Sequence, residues 1–394
     1  MRQGIPGALD RIRSYAAELD AIRQDIHAHP ELGLQEHRTA ELVARKLEEW
    51  GLEVHRGVGV TGVVGVLRSG NGPGAVGLRA DMDALPIDEA NEVPYRSGTK
   101  GVMHACGHDG HTTMLLGAAR YLAETRRFNG TVNFIFQPAE EGVGGALAML
   151  RDGLLERFPC DALYAIHNRN GLPVGKYAIA PGRAASGGAF FDITVRGQGA
   201  HGAHPQASID PVLAASQIIS SLQSVIARNV RPSATAVLSV TQVHAGDAYN
   251  VIPMTATISG TARAFETETM GLIEERLRRV AGGVAAGFGA TAEVDFRLIF
   301  APLNNDVAQA TAFADTAAEL VGEENVRRDN PPSMGSEDFS FMAERVPSAY
   351  ILVGQGSDSG PAHSPTYNYN DAATPYGAAV YARAVERALA RGAE

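Results

Sequence analysis

The chain has 394 residues, with 44 acidic against 34 basic side chains and a formal net charge of −10. That length predicts two domains or three and allows a full core, and the negative charge argues against nucleic acid or an anionic membrane as a partner. Two cysteines are too few for a disulfide framework, and no long apolar run or apolar leader is present, so we expect no signal peptide and no membrane span. We therefore expect a cytoplasmic globular protein.

Predicted helices and short apolar strands alternate through the first part of the chain. Hydrophobic spacing predicts helices at 9–29 and 36–51, strands at 63–70 and 75–81, a helix at 111–125, a strand at 131–137, a helix at 144–155 and a strand at 161–167. Nearly unbroken apolar strands between helices are typical of a mainly parallel sheet covered on both faces. This part is therefore predicted to be an α/β domain.

The order of predicted helices and strands changes near Arg183. The order strand, helix, two strands, helix, strand predicts a ferredoxin-like α+β unit inserted at 183–294. The flanking parts, 1–182 and 295–394, are then predicted to form one discontinuous α/β domain. Its later part contains a helix from about Val307, a strand at 348–354 and a closing helix from about Thr374.

Metal-capable side chains follow several of the predicted strands. Asp81 ends one strand and Asp83 comes two residues later, Glu140 and Glu141 follow a second strand, and His167 ends a third. Because ligands in open α/β sheets gather at the carboxyl ends of the strands, these side chains predict one metal site at that edge.

The stretch GVMHACGHDGHTT, residues 101–113, adds further candidates. Cys106 and His108 are two positions apart, so in an extended segment both side chains reach one metal centre. Asp109 is either the N-cap of the following helix or a carboxylate that orients a ligand. His104 and His111 are interpreted as bystanders.

The neighbouring carboxylates need separate roles. Of Glu140 and Glu141, one can bind metal while the other takes and returns the proton of a water held there. Asp83 suits the orientation of a ligating histidine better than ligation, and Asp81 suits either role. His363, after the last predicted strand, is a candidate to complete the site.

Ten sequence blocks follow one another along nearly the whole chain. They are HAHPELGLQEHRTA, GVGVTGVVGVL, LRADMDALPI, MHACGHDGHT, QPAEEG, HNRNGLPVG, GQGAHGAHPQASIDPV, YNVIP, MGSEDFS and AHSPTYNYND. With these blocks the chain resembles the dinuclear-metal amidohydrolases related to aminoacylase and carboxypeptidase G. Within these, it is most similar to the subfamily of hippurate hydrolases, N-acyl-amino-acid amidohydrolases and auxin-conjugate hydrolases.

The resemblance implies a set of site residues. The metal ligands would be Cys106, His108, Glu141, His167 and His363. Two divalent ions per subunit are implied, with the thiolate bridging them, and the mixed donors suit zinc, manganese, cobalt or nickel. Glu140 would be the general acid and base, and ligation is not carried over to Asp81. Asp83, placed by the residue pattern alone, is expected to assist catalysis by orienting a ligand.

The resemblance also implies roles for the inserted domain, which in the family is a dimerisation lid. His201 matches a histidine that reaches the partner subunit's active site and polarises the scissile carbonyl, with His204 as the second choice. Asn250 and Arg263 match residues that hold the free carboxylate of the substrate. A homodimer or dimer-based oligomer is therefore expected.

The function implied is hydrolysis of N-acyl amino acids, hippurate-like or N-acetyl, to a carboxylic acid and a free amino acid. A dipeptidase or carboxypeptidase on the same fold, a thiol hydrolase with Cys106 as nucleophile, and a binding protein without metals are the alternatives. Arg169 and Asn170 stand where relatives usually carry an aromatic residue or proline, so the resemblance implies the chemistry but does not fix the acyl-side specificity.

Overall fold

The described chain forms two compact units in this computed structural model, which covers residues 7–391. The first unit contains residues 7–184, 304–332 and 338–391, and the second contains 185–303 and 333–337. The limits of 183–294 predicted for an inserted domain stay a prediction. Residues 1–6 and 392–394 lie outside the described residues. Residues 1–6 belong to the N-terminal segment in which no signal peptide is expected.

The helices and strands are numbered in chain order. The helices are α1 Ala8–Arg13, α2 Ala16–Ala28, α3 His37–Glu49, α4 His108–Thr125, α5 Gly145–Arg151, α6 Leu154–Arg157, α7 Pro211–Asn229, α8 Thr267–Gly287, α9 Val307–Val321, α10 Ser340–Ala343 and α11 Thr374–Ala388. The strands are β1 Glu53–Val58, β2 Gly62–Ser69, β3 Ala75–Asp81, β4 Gly130–Gln137, β5 Ala162–Asn170, β6 Tyr177–Ala178, β7 Gly182–Ala185, β8 Gly187–Arg196, β9 Ala200–His201, β10 Ala236–Ala245, β11 Val251–Ile252, β12 Thr255–Ala264, β13 Thr291–Phe300, β14 Leu303–Asn305, β15 Val326–Arg327 and β16 Ser348–Gly356.

The first unit is built on a mixed, mainly parallel sheet in the order β1-β2-β4-β3-β5-β16-β6-β15. The central strands β4, β3, β5 and β16 run parallel, so their carboxyl ends meet at one edge. Asp81 pairs with Gln137 at that edge, directly before the loop that carries the two glutamates. This confirms the prediction that these strand ends converge.

Helix α4 lies in the core of the first unit. Its residues from His108 to Ala119 are all buried, and it packs against α2 and α11. The helix begins at His108, so the packing of its apolar residues against α2 and α11 also fixes the position of the histidines in its first turn.

The second unit has a four-stranded antiparallel sheet in the order β10-β12-β8-β13. Helices α7 and α8 pack on it, and their apolar faces share a core with the inward-facing residues of the strands. Phe191, Ile193 and Ile258 of the sheet and Ile218 and Leu277 of the helices are all buried there. The order is that of a ferredoxin-like unit. The predicted fold class, a mainly parallel α/β sheet with an α+β unit, is confirmed.

Two predicted helices are each divided. The helix predicted at 9–29 breaks at Ser14, whose hydroxyl donates to the carbonyl of Arg11 at 2.6 Å and competes with the helical pattern. The helix predicted at 144–155 breaks at Gly153, which has a left-handed φ of 77°. None of the helices within residues 7–391 combines the length and apolar composition of a membrane span.

Candidate metal centre

Gly107, between Cys106 and His108, occupies a position where no larger residue fits. Gly107 has a φ of 101°, and a Cβ there would lie 2.4 Å from Oδ1 of Asn168 and 2.5 Å from the hydroxyl oxygen of Tyr367. The predicted extended segment is therefore wrong in detail, because His108 already opens helix α4. The left-handed glycine, rather than an extended chain, lets both side chains reach the sheet edge.

Cys106 belongs to two separate groups of metal-capable atoms. In the first, Cys106, His108 and His167 have their ligand atoms within 4.8 Å of one another, and in the second, Cys106 meets Glu141 and His363 within the same limit. The Cys106 sulfur lies 3.4 Å from Nε2 of His167, and Nε2 of His363 lies 3.1 Å from Oε1 of Glu141. The structure thus brings together all five side chains that the resemblance names as ligands.

Asp83 contacts both groups. Its carbonyl oxygen and its Oδ1 lie 2.9 Å and 3.1 Å from Nδ1 of His108, and its Oδ2 accepts a hydrogen bond from the backbone N–H of Glu141 at 2.9 Å. With Nδ1 occupied, Nε2 of His108 is the nitrogen that faces the site. It is buried and has no hydrogen-bond partner among the described residues.

The other two histidines are oriented by the main chain. Nδ1 of His167 lies 2.7 Å from the carbonyl oxygen of Asn168, so its Nε2 is directed to Cys106. His363 has a left-handed φ of 63°, and its N–H donates to the carbonyl of Ala105 at 2.8 Å. Its side chain is half exposed, so this edge of the site is open to solvent.

Glu140 lies beside these groups. It is 6% exposed, and its carboxylate, with His108 and Glu141, forms another group of ligand atoms within 4.8 Å of one another. The backbone N–H of Asp338 donates to its Oε1 at 3.3 Å. The two consecutive glutamates therefore face different partners, as the sequence predicted.

His111 is not the bystander that the sequence suggested. It is buried, with Nδ1 2.6 Å from Oδ1 of Asp81 and Nε2 2.6 Å from Oδ1 of Asn168. The other oxygen of Asp81 accepts from Nη1 of Arg79 at 2.7 Å. Both oxygens of Asp81 are thus engaged by protein donors. The three-residue spacing of His108 and His111 on one helix was the signal that could have identified His111.

Asp109 does not cap its helix, because Gly107 is the N-cap residue. Its Oδ2 instead lies 2.8 Å from Nδ1 of His27 and 3.4 Å from Nη1 of Arg23, in a fully buried cluster. Sequence reasoning missed Arg23 and His27 because both come from a distant helix. His104 is buried nearby, and neither of its ring nitrogens has a hydrogen-bond partner within residues 7–391.

Burial and neighbouring charges set the protonation of the site. Burial raises the pKa of the Cys106 thiol to about 12 and lowers the pKa of His167 well below its usual value. Burial opposes the charged forms of Asp81 and His108, but their attraction holds the pKa of Asp81 well below its usual range and that of His108 well above. The hydrogen bond to Glu141 raises the pKa of His363.

The second unit carries the other predicted residues. His201 lies in β9 opposite Val251, and the N–H of Gly202 donates to the carbonyl of Asn250 at 2.7 Å, so His201 and Asn250 lie on adjacent exposed segments. The ring of His204 is 5.6 Å from that of His201. Arg263 is half-buried on β12, where its Nη1 donates to the carbonyl of Ala262 at 2.9 Å.

Comparison with known proteins places the chain in a family. The family model of peptidase family M20/M25/M40 matches residues 77–387. The hippurate hydrolase of Campylobacter jejuni is 43% identical over 383 residues, which are 96% of this chain and 97% of that protein. An N-acetylcysteine deacetylase of Bacillus subtilis is 40% identical over 87% of this chain and 89% of its own length.

A solved structure supports the same family. A dinuclear metal-binding peptidase of the M20 family from Bacillus subtilis superposes with a TM-score of 0.82 and 35% identity, over 96% of this chain and 99% of that one. With two metal-capable groups that share Cys106 at the sheet edge, and with this likeness along the chain, the protein belongs to peptidase family M20/M25/M40 and is a hydrolase of the amidohydrolase and peptidase type.

Proposed function

We propose that this enzyme hydrolyses the amide bond of N-acyl amino acids, hippurate-like or N-acetyl, to release a carboxylic acid and a free amino acid. The observation that carries the proposal is that Cys106 is shared by two groups of ligand atoms while Glu140 lies beside them. The similarity to a hippurate hydrolase and an N-acetylcysteine deacetylase supports this substrate class.

Two divalent ions fit the donors present. The set combines one sulfur, three imidazole nitrogens and a carboxylate, which suits zinc, manganese, cobalt or nickel. The buried Nε2 of His108, without a hydrogen-bond partner in the described chain, is the kind of donor that a metal satisfies. We assign the ligands as Cys106, His108, Glu141, His167 and His363. Bound ions would supply a Lewis acid for the amide carbonyl and lower the pKa of a water molecule.

Glu140 is assigned as the proton carrier. Its carboxylate is buried next to the proposed ligands but is not one of them, so it can accept the proton of the attacking water. It then returns that proton to the leaving nitrogen, so the amine departs neutral. Asp83 assists by holding His108 in the tautomer that presents Nε2.

The second unit is proposed to bind the rest of the substrate. Arg263 and Asn250 would hold the free carboxylate, for which a guanidinium offers paired charge-assisted hydrogen bonds. His201 would donate to the developing oxyanion in the active site of the partner subunit, with His204 as the alternative. A cytoplasmic homodimer, or an oligomer built from dimers, is part of this proposal.

The assignment of Glu140 is tested with Glu140→Gln, which keeps the shape and removes the base. We expect kcat to fall by about 100-fold or more while metal content, measured by elemental analysis, stays at the wild-type value. Glu49→Gln, an exposed substitution in α3, is the matched control and should change neither. Full activity of Glu140→Gln would overturn the role.

The substrate class is tested with a panel on the metal-loaded enzyme. N-benzoylglycine, N-acetyl amino acids and dipeptides are compared by kcat/KM. We expect the acyl amino acids to be preferred. A preference for dipeptides would instead support the dipeptidase or carboxypeptidase alternative.

A further inference from the structure

Glu36 is a buried carboxylate that contacts the loop of the two glutamates from a distant part of the chain. It is fully buried, and its Oε1 accepts a hydrogen bond from the backbone N–H of Ala139 at 2.8 Å. Its Oε2 accepts from the hydroxyl of Thr61 at 2.5 Å. In the part of the chain that the structure describes, the Glu36 side chain does not cap helix α3, although Glu36 is the N-cap residue. Its carboxylate is directed instead to the loop.

Ala139 has an unusual backbone conformation. Its φ is 52°, in the left-handed region that residues other than glycine rarely adopt. The surroundings are tight: a Cβ at Gly33 would lie 3.0 Å from Cβ of Ala139, and a Cβ at Gly145 would lie 1.6 Å from the carbonyl oxygen of Pro138. The N–H of Gly145 also donates to the carbonyl of Ala139 at 3.0 Å. Neighbouring segments therefore leave little space for another path.

Two carboxylates from separate segments hold the amides of this loop. Glu36 accepts from Ala139, and Asp83 accepts from Glu141 two residues later. Between these anchors Glu140 approaches the N–H of Asp338, while Glu141 approaches His363. The left-handed residue Ala139 directly precedes the two glutamates, so its conformation sets the course of the backbone into them.

We propose that Glu36 is a positioning residue for catalysis. By holding the N–H of Ala139, its carboxylate keeps this residue left-handed and so aims Glu140 and Glu141 at their separate partners. The inference rests on the roles proposed above for these two glutamates. Glu36 itself touches neither substrate nor metal in this scheme.

The test compares Glu36→Ala with Glu36→Gln, whose amide oxygen can still accept from Ala139. For Glu36→Ala we expect kcat to fall by about tenfold or more, with KM within about threefold of wild type. Glu36→Gln should retain kcat within about threefold. Glu31→Ala is the matched control: Glu31 lies in the same segment but caps α3 by accepting from the N–H groups of Arg38 and Thr39. Its loss should lower stability and leave kcat unchanged.

A second substitution, at Ala139, distinguishes a positioning role of Glu36 from a general contribution of Glu36 to the stability of the core. Glycine adopts a left-handed φ without steric cost, so adding Ala139→Gly to Glu36→Ala should restore part of the lost kcat. A second readout is independent of turnover. The visible absorption of the cobalt-loaded protein should change in Glu36→Ala, because the geometry of Glu141 changes, and should return towards wild type in the double variant.

The outcomes are distinct. Unchanged kcat and an unchanged cobalt spectrum in Glu36→Ala would overturn the inference, as would failure of Ala139→Gly to raise the kcat of that variant. If Glu36→Ala does not fold, Glu36→Asp, which keeps a buried carboxylate one methylene shorter, serves in the same comparisons. An active Glu140→Gln would instead overturn the role proposed for Glu140, whereas an inactive Glu140→Gln with a fully active Glu36→Ala would overturn only the inference drawn here.

Discussion

Asp83 holds His108 by two acceptors at once, its own carbonyl oxygen at 2.9 Å and its carboxylate Oδ1 at 3.1 Å from Nδ1. A ring nitrogen between two such acceptors carries the proton of the neutral imidazole, so in that form the lone pair is on Nε2, which faces the site. Because Oδ2 of Asp83 also anchors the N–H of Glu141, one side chain positions a proposed ligand in each metal group.

Removing this carboxylate should weaken metal binding. We expect Asp83→Ala to lower the affinity for zinc by about 10- to 100-fold, because His108 keeps only the backbone carbonyl as an acceptor and Glu141 loses its anchor. Metal titration of the chelator-treated protein measures the effect. Asp329→Ala, a substitution of a largely exposed aspartate, is the control. Equal zinc affinity in Asp83→Ala and wild type would contradict the assignment.

Cys106 distinguishes a metal enzyme from a thiol hydrolase. Its pKa of about 12 keeps the metal-free thiol protonated at neutral pH, so it is a weak nucleophile. We expect Cys106→Ser to lower the bound metal below two ions per subunit, and Cys160→Ser, at the only other cysteine, to retain both. Chelation should abolish wild-type activity and added metal should restore it. Activity that survives chelation but is lost on thiol alkylation would support the thiol hydrolase instead.

Arg79 is a buried cation beneath the site. Its Nη1 and Nη2 donate to Asp81 and Asp338 at 2.7 Å and 3.3 Å. Arg79→Met leaves these buried carboxylates without their cation, so we expect the free energy of unfolding to fall by about 3–5 kcal/mol. Urea unfolding measures it, and Arg68→Met, at an exposed position on strand β2, should change it little. A stability loss no larger than that of the control would show that the guanidinium is dispensable.

His27 predicts a pH dependence of stability. Burial alone would lower its pKa, but hydrogen bonds to Asp109 and Glu89 raise it to about 9, against the opposing charge of Arg23. The folded pKa exceeds the unfolded value, so the stabilisation is complete below about pH 6.5 and is lost as pH rises through about 9.

The comparison is between wild type and His27→Gln. We expect the free energy of unfolding of the wild type to fall between pH 6 and pH 9.5 by on the order of 3 kcal/mol more than that of His27→Gln, whose slope lacks this group. His29→Gln, at a half-exposed histidine close by, should keep the wild-type slope. Identical slopes for His27→Gln and wild type would show that His27 does not titrate in this range.

Much of the architecture follows from local pattern. The apolar runs at 63–70, 75–81 and 131–137 predict strands that the structure confirms as β2, β3 and β4, because a strand buried on both faces requires such a run. Strand β1 was missed because its polar, partly exposed residues show no such run. Strand ends also indicated that Glu140 and His167 would lie at the same edge of the sheet, since parallel strands present their carboxyl ends at one edge.

The sequence by itself therefore determined the order of elements, the edge that bears the site and the residue types able to bind metal, since these depend on periodicity and composition along short stretches. Only the tertiary structure decided which of those residues is paired with which. Asp81 is paired with His111, Asp109 with His27, and Glu36 with the amide of Ala139, 103 residues away. Such partners meet because the packing of separate segments excludes water, so each buried polar group must find its donor or acceptor in another segment. No local sequence pattern encodes that choice.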